Sequence, residues 1–148
     1  MQYDNLFLGE EMRTYYIFNV NKEMSILTKD SPYMLFKSFE SIYLADKSDL
    51  YMASNLYEQL ASKFNKNILN QKIVKEYKDN QHYIYTKDHH NYYNRYKDET
   101  CNLTVKNSYI ICSANNSKLE LLKKLNGYNL FACDFENKDY FWLDEIYC

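Results

Sequence analysis

Three histidines, His82, His89 and His90, lie close together, with Glu99 and Cys101 just downstream. These are the residue types that hold zinc, which needs three or four deprotonated ligands converging on one point. The spacing works against it. Neighbours such as His89 and His90 point to opposite sides of a strand, or about 100° apart around a helix. No HxxxH or HExxH pattern is present, so neither a metal nor another cofactor is implied. Nucleophilic chemistry lacks its frame too. There is no GxSxG elbow, and two glycines in the whole chain cannot build a phosphate loop. The carboxylate pairs Glu10-Glu11 and Asp98-Glu99 sit among polar residues, as solvated surfaces do. With almost no glycine to form tight turns beside a substrate, the residues argue against an enzyme and against a small-molecule substrate.

The stretch Tyr83 to Lys97, YIYTKDHHNYYNRYK, interleaves aromatics with Lys87, Arg95 and Lys97. Stacking platforms for single-stranded nucleic acid use such interleaving. Here Asp88 and Asp98 dilute it, and the chain carries a net charge of -2 with a pI near 5.9. A nucleic-acid binder needs a basic field to neutralise phosphates, so direct nucleic-acid contact is not expected. The chain has 17 Tyr, 8 Phe and one Trp. Codon usage in an AT-rich genome would explain part of this. Protein contact would explain it as well, because Tyr offers large area at low rotamer entropy. Both readings stay open, and a protein-binding role is what remains.

At 148 residues the chain suits one domain with a self-sufficient core. It contains no apolar run long enough to span a membrane and opens without a basic stretch or long apolar core, so a cytoplasmic location is expected. Cys101, Cys112, Cys133 and Cys148 show no CxxC spacing. In a reducing compartment they are expected as free, structural thiols.

The elements that would position these groups read as α+β. Residues 1–11 form an expected extension, poorly tied down as termini often are. Residues 12–148 form one domain. Arg13 to Val20 alternates Tyr15 and Ile17 against Tyr16, Phe18 and Val20, which predicts a central strand covered on both faces. Asn19 to Asp30 reads as a polar connection. Ser31-Pro32 opens a helix to Ala45, with Ser31 as cap and an inward stripe of Met34, Leu35, Phe39, Ile42 and Tyr43. Ser48 caps a second helix, whose Met52, Leu56, Leu60 and Phe64 read as core packing. A third helix spans Asn65 to Lys78. Strands are predicted over His82–Thr86, Thr100–Lys106 and Ser108–Ser113, the last two joined by a tight Lys106-Asn107 turn. Asp88 to Asp98 gives no clear period. Asn116-Ser117 caps a short leucine helix that Gly127 stops in a left-handed conformation. Phe131, Cys133 and Phe135, then Tyr140 and Trp142, alternate on a C-terminal hairpin with Asn137 at the left-handed turn position. Both hairpin faces are apolar, so it belongs in the core, and Trp142 reads as scaffold. The sheet is expected to be mainly antiparallel, with helices packed on it.

Two stretches carry a family resemblance. MRTYYIFNV at Met12–Val20, followed by a helix containing MLFKSF, resembles the start of the sporulation inhibitor of replication (SirA) proteins. LELLKKL at Leu119–Leu125, then NLFACDFENKDYFWL at Asn129–Leu143, is similar to that family's closing helix and hairpin, through Asp134, Phe135, Tyr140, Trp142 and Leu143. The stretch Lys63 to Asp98 has no counterpart.

The resemblance implies a non-enzymatic inhibitor of replication initiation. It would bind the N-terminal domain of the initiator DnaA during sporulation. Family contacts fall just after the first strand and on the second helix, here Lys22–Thr28 and Tyr57–Ala61. The implied partner-binding residues are Met24, Leu27, Thr28, Tyr57, Glu58 and Gln59. Met24 would be an apolar anchor, and Glu58 and Gln59 polar contacts. The family's aromatic contacts fall on Met24 and Thr28 here. A second reading stays open: a phage or mobile-element protein that uses a similar surface to block another host protein.

Overall fold

Strand β1 (Arg13–Val20) organises the molecule because both of its faces carry large apolar side chains. The structure is a computed structural model that describes residues 12–147. The extension expected over residues 1–11 and the thiol of Cys148 lie outside the described residues. β1 pairs antiparallel with β6 (Ile110–Ala114) on one side and β7 (Leu130–Asp134) on the other. The sheet runs β3 (Tyr83–Thr86), β4 (His89–Asn94), β5 (Glu99–Val105), β6, β1, β7, β8 (Asp139–Trp142). A two-residue strand, β2 (Ala61–Ser62), pairs with Asn19 and Val20 where β6 has ended. Among the described residues every pairing is antiparallel, giving eight strands with five α-helices, a small α+β domain.

The register assigns each side chain a face, because alternate residues point opposite ways. Tyr15 and Ile17 share one face with Cys112, Leu103, His90 and Ala132. Helix α4 (Lys66–Tyr77) and the leucines of 119–122 cover this face, with Leu69, Ile73, Leu121 and Leu122 buried against it. Tyr16 and Phe18 share the other face with Phe131, Cys133 and Trp142. Helices α2 (Pro32–Tyr43) and α3 (Leu50–Leu60) cover that face over β1, β7 and β8. Over β3 to β6 the same face bears Ile84, His89, Tyr93 and Thr104, which are exposed or half-buried and belong to neither core.

Aromatic stacking sets how α2 sits. Phe39 lies on Phe18 with ring centroids 4.0 Å apart, and Phe36 on Tyr140 at 4.9 Å. This rotates the inward stripe to Leu35, Phe36, Phe39 and Glu40. Met34 and Tyr43, expected inside, are exposed. Glu40 is buried yet paired: Lys37 donates to Oε1 at 2.7 Å, and Lys138 from the β7–β8 turn bonds Oε2. Hydrogen bonds from Lys138 and Lys37 hold its carboxyl below the usual range. Ser31 makes no side-chain cap; Pro32 with its preset φ starts the helix, and the Ser31 carbonyl accepts from the Met34 amide.

Other elements depart from the sequence-based expectations. Lys22–Thr28 is a helix, α1, rather than a plain connection. Ser48 lies in a 3-10 turn and donates to the Asp46 carboxylate, so α3 begins at Leu50. It ends at Leu60, because the next residues extend to pair with β1. Phe64 therefore leaves the helix and packs in the opposite core, while Met52, in the first turn of α3, is exposed. The unplaced stretch contains β4, whose Asn and His residues hide its period. The leucine helix shrinks to a 3-10 turn, Glu120–Leu122, because Leu119 takes a φ of 46°. A turn can bury 119, 121 and 122 together, which one helix face cannot. Gly127 is left-handed as expected, with φ 86°.

The C-terminal hairpin is scaffold. Trp142 is 2% exposed and packs on Phe131 at 4.8 Å. The left-handed turn residue is Lys138, not Asn137. Asn137 is committed elsewhere: its backbone and side-chain amides both donate to buried Asp134. Arg13 adds an ion pair to that carboxylate at 3.6 Å. Short α5 (Leu143–Tyr147) follows β8.

Candidate functional site

An aromatic groove opens where the helical cover of the sheet stops. Tyr16 and Phe18 of β1 form its floor. Tyr43 of α2, Leu50 and Tyr57 of α3, and Tyr109 of the β5–β6 turn form its walls. Its volume is ≈ 480 Å³. Each element delivers its side chain for a local reason. Tyr16 alternates onto this face and meets Tyr43 at 5.1 Å and Tyr109 at 5.5 Å. Tyr43 is the last residue of α2 and stacks on Phe135 at 4.4 Å. Tyr57 reaches from α3 to donate to the Ser108 carbonyl at 2.6 Å, which fixes helix to sheet.

The groove is electrically quiet. Burial raises the phenols of Tyr16 and Tyr57 above their usual pKa, so they remain neutral across the physiological range. Glu58 and Lys63 are the charges at its rim. Neutral phenols and rings suit an apolar or aromatic side chain in need of one or two hydrogen bonds. They do not make a nucleophile or a general base.

From the groove's edge at Leu50 outward, the start of α3 turns Leu50, Tyr51 and Met52 to solvent, with Tyr51 80% and Met52 72% exposed. Leu44, at the end of α2, joins them. Three consecutive large apolar residues span about 200° of a helix at 3.6 residues per turn. At least one must face outward, and that was the signal in the sequence. The groove itself gave no signal there, because its residues come from four separate elements.

The six residues implied by the resemblance are distributed unevenly. Tyr57 and Glu58 line the aromatic groove. Gln59 lines a broader, shallower groove between α2 and α3, with Leu44, Met52 and Leu56. Met24 is half-buried and packs against the helical core, and its carbonyl accepts from the Thr28 hydroxyl. Leu27 projects into solvent at 74% exposure. Met24, Leu27 and Thr28 line neither groove. The two segments nevertheless meet: the Asn21 side chain, at the start of α1, donates to the carbonyls of Glu58 and Gln59.

The histidines do not converge. His90 is buried on the α4 side, with Nε2 2.7 Å from Asn70 Oδ1 and Nδ1 2.6 Å from the Tyr83 hydroxyl. His89 points to the open face and bonds Thr104. Among the described residues no group of three or more His, Cys, Asp or Glu is placed to hold a metal. Cys101 and Cys112 lie buried with their sulfurs 3.5 Å apart. None of the described helices is long and apolar enough to cross a membrane. No known protein-family model matches the chain, and no curated protein is similar to it.

Proposed function

We propose that this protein acts by occupancy, as a non-enzymatic inhibitor that docks its helical layer on another protein. The observation that carries this reading is the neutral aromatic groove beside Leu44, Leu50, Tyr51 and Met52, a row of exposed apolar side chains. Solvated helices seldom leave such a cluster uncovered, and clusters of this kind mark contact surfaces. An inserted side chain would fill the groove as a central anchor, with Glu58 and Lys63 as polar rim.

The partner proposed is the N-terminal domain of the initiator DnaA, with replication blocked as the cell commits to sporulation. Support for this partner is the resemblance at the two ends of the chain, together with Tyr57 and Glu58 on the groove wall. The inhibitor would work by covering a face that the initiator needs for other contacts. A standard interface of about 800 Å² per side is within reach of α2 and α3.

Calorimetric titration against DnaA from an endospore-former tests the reading. Binding is expected with full-length DnaA and lost when its N-terminal domain is removed. Tyr51→Asp, at an exposed position, should weaken it at least about tenfold, or 1.4 kcal/mol, with an unchanged melting temperature. Binding that ignores Tyr51→Asp would remove the helical face from the proposal. No binding to either form would remove DnaA.

A further inference from the structure

A second, chemically different site lies on the opposite layer, between α4 and the β3–β4 hairpin. A groove of ≈ 590 Å³ there is lined by Asn70, Gln71, Lys75, Lys78, Tyr85 and Asp88. It differs from an ordinary surface crease because its walls are held from behind. Asn70 is 6% exposed, a position where an apolar residue would be the simpler choice. Its Oδ1 accepts from His90 Nε2–H, and Tyr83 closes the cluster on Nδ1. With Oδ1 committed to His90, the side-chain NH₂ is the polar group of Asn70 that remains for the groove the residue lines.

The aromatic wall is held too. Tyr85 lies against the His90 ring with centroids 4.5 Å apart, and its hydroxyl donates to Asp88 Oδ1 at 3.0 Å. Asp88 takes a left-handed φ of 66° in the tight β3–β4 turn and is paired with Lys66 at 4.0 Å. Surface groups locked by a buried polar cluster behind them are how binding sites are pre-organised. A cluster serving stability alone has no need to orient an amide and a ring toward the same hollow.

We propose that the groove formed by Asn70, Gln71, Lys75, Lys78, Tyr85 and Asp88 binds a monosaccharide-sized polyol bearing one anionic group, such as a sugar acid or sugar phosphate. The amides and Asp88 match the alternating donors and acceptors of ring hydroxyls. Tyr85 offers a flat face for the C–H side of the ring. Lys75 in the last turn of α4 and Lys78, its C-cap residue in helical conformation, lie three residues apart along the same groove and receive the charge. This site is independent of the protein-docking reading and survives its failure.

A ligand of this size in an open groove should bind with a Kd on the order of 1 mM. The test is an amide and side-chain NMR titration of the full chain with glucuronate, glucose 6-phosphate, glucose and inorganic phosphate. Saturating shifts are expected at the Asn70 and Gln71 side-chain amides and at Tyr85 with both charged sugars. Glucose and phosphate should each bind at least about tenfold more weakly. Tyr85→Ala, at a partly exposed wall position, should abolish the shifts without altering the rest of the spectrum. Lys75→Gln with Lys78→Gln should erase the preference for charged over neutral sugar. Phosphate binding as tightly as the charged sugars, no saturating shift with any of the four, or an unaffected Tyr85→Ala protein would each overturn the proposal.

Discussion

Acidification from pH 7 to pH 5 should weaken this protein through a single imidazole. His90 is fully buried and bonded on both nitrogens, to Asn70 Oδ1 and the Tyr83 hydroxyl. The neutral ring satisfies both partners: Nε2–H donates to the amide, and Nδ1 accepts from the phenol. A second proton on Nδ1 would force Tyr83 to turn. Burial, opposed by the charge of Asp88 and slightly helped by His89, pushes the His90 pKa from 6.5 down to about 4. In the unfolded chain the same ring protonates near 6.5. Between 6.5 and 4 the unfolded state therefore binds a proton that the native state refuses, and stability falls as pH falls. At pH 5 the difference approaches 1.5 pK units, or about 2 kcal/mol at 1.36 kcal/mol per unit. That is a large share of the 5–15 kcal/mol typical of a domain. Glu40, whose carboxyl is held low by its lysines, loses its contribution only at lower pH. The assay is urea unfolding at pH 7 and pH 5, followed by Trp142 fluorescence, for the parent and His90→Leu. The leucine protein should be weaker at both pH values, since Asn70 and Tyr83 lose a partner, but its loss between them should be smaller by about 2 kcal/mol. Equal losses in the two proteins, or a His90 NMR titration midpoint near 6.5, would refute the reasoning.

Trp142→Ala should cost about 3–5 kcal/mol as a core truncation, read by thermal or denaturant unfolding; a parent-like melt would contradict the scaffold role of the hairpin. Trp142→Phe should cost much less. It removes the indole N–H, the one buried side-chain N or O atom without a hydrogen-bond partner among the described residues, and leaves the stack on Phe131. In a Cys148→Ser protein, a thiol reagent should modify Cys101, Cys112 and Cys133 only as fast as the molecule unfolds. The hydrogen bond to Cys101, with burial, raises the Cys112 thiol, and burial raises that of Cys133, so thiolate is scarce. Rapid labelling of any of the three in native buffer would show a breach in the sheet.

The main outline was legible in the chain wherever local chemistry and tertiary demand coincide. β1 announced itself by large apolar residues on both faces, and the sheet does bury both. The helix expected over Asn65 to Lys78 is α4, and Asn65 caps it by accepting from the Ile68 amide. Gly127 takes the left-handed conformation that its type allows without steric cost. The outline blurred where a residue had two acceptable uses. Met52 fits a buried helical stripe as well as a surface, and the stripe that is buried at Leu60 runs out into solvent at the start of α3. Lys138 carries no left-handed signal; it is turned because Asn137, the better candidate, is consumed by Asp134. Leu119 to Leu122 repeats like a helix, yet burying neighbouring leucines together required a turn.

Composition and spacing excluded a glycine-built phosphate loop and a serine elbow, and alternation placed Trp142 in the core, because each depends on residue identity or on neighbours along the chain. Both grooves were invisible at that level. Tyr16, Tyr43, Tyr57 and Tyr109 are drawn together by sheet register and by the angle at which α2 stacks on Phe18. Asn70 meets Tyr85 only through a histidine from a third element. Contacts between residues far apart in sequence depend on how layers pack, and packing is settled by the shapes of all the side chains at once.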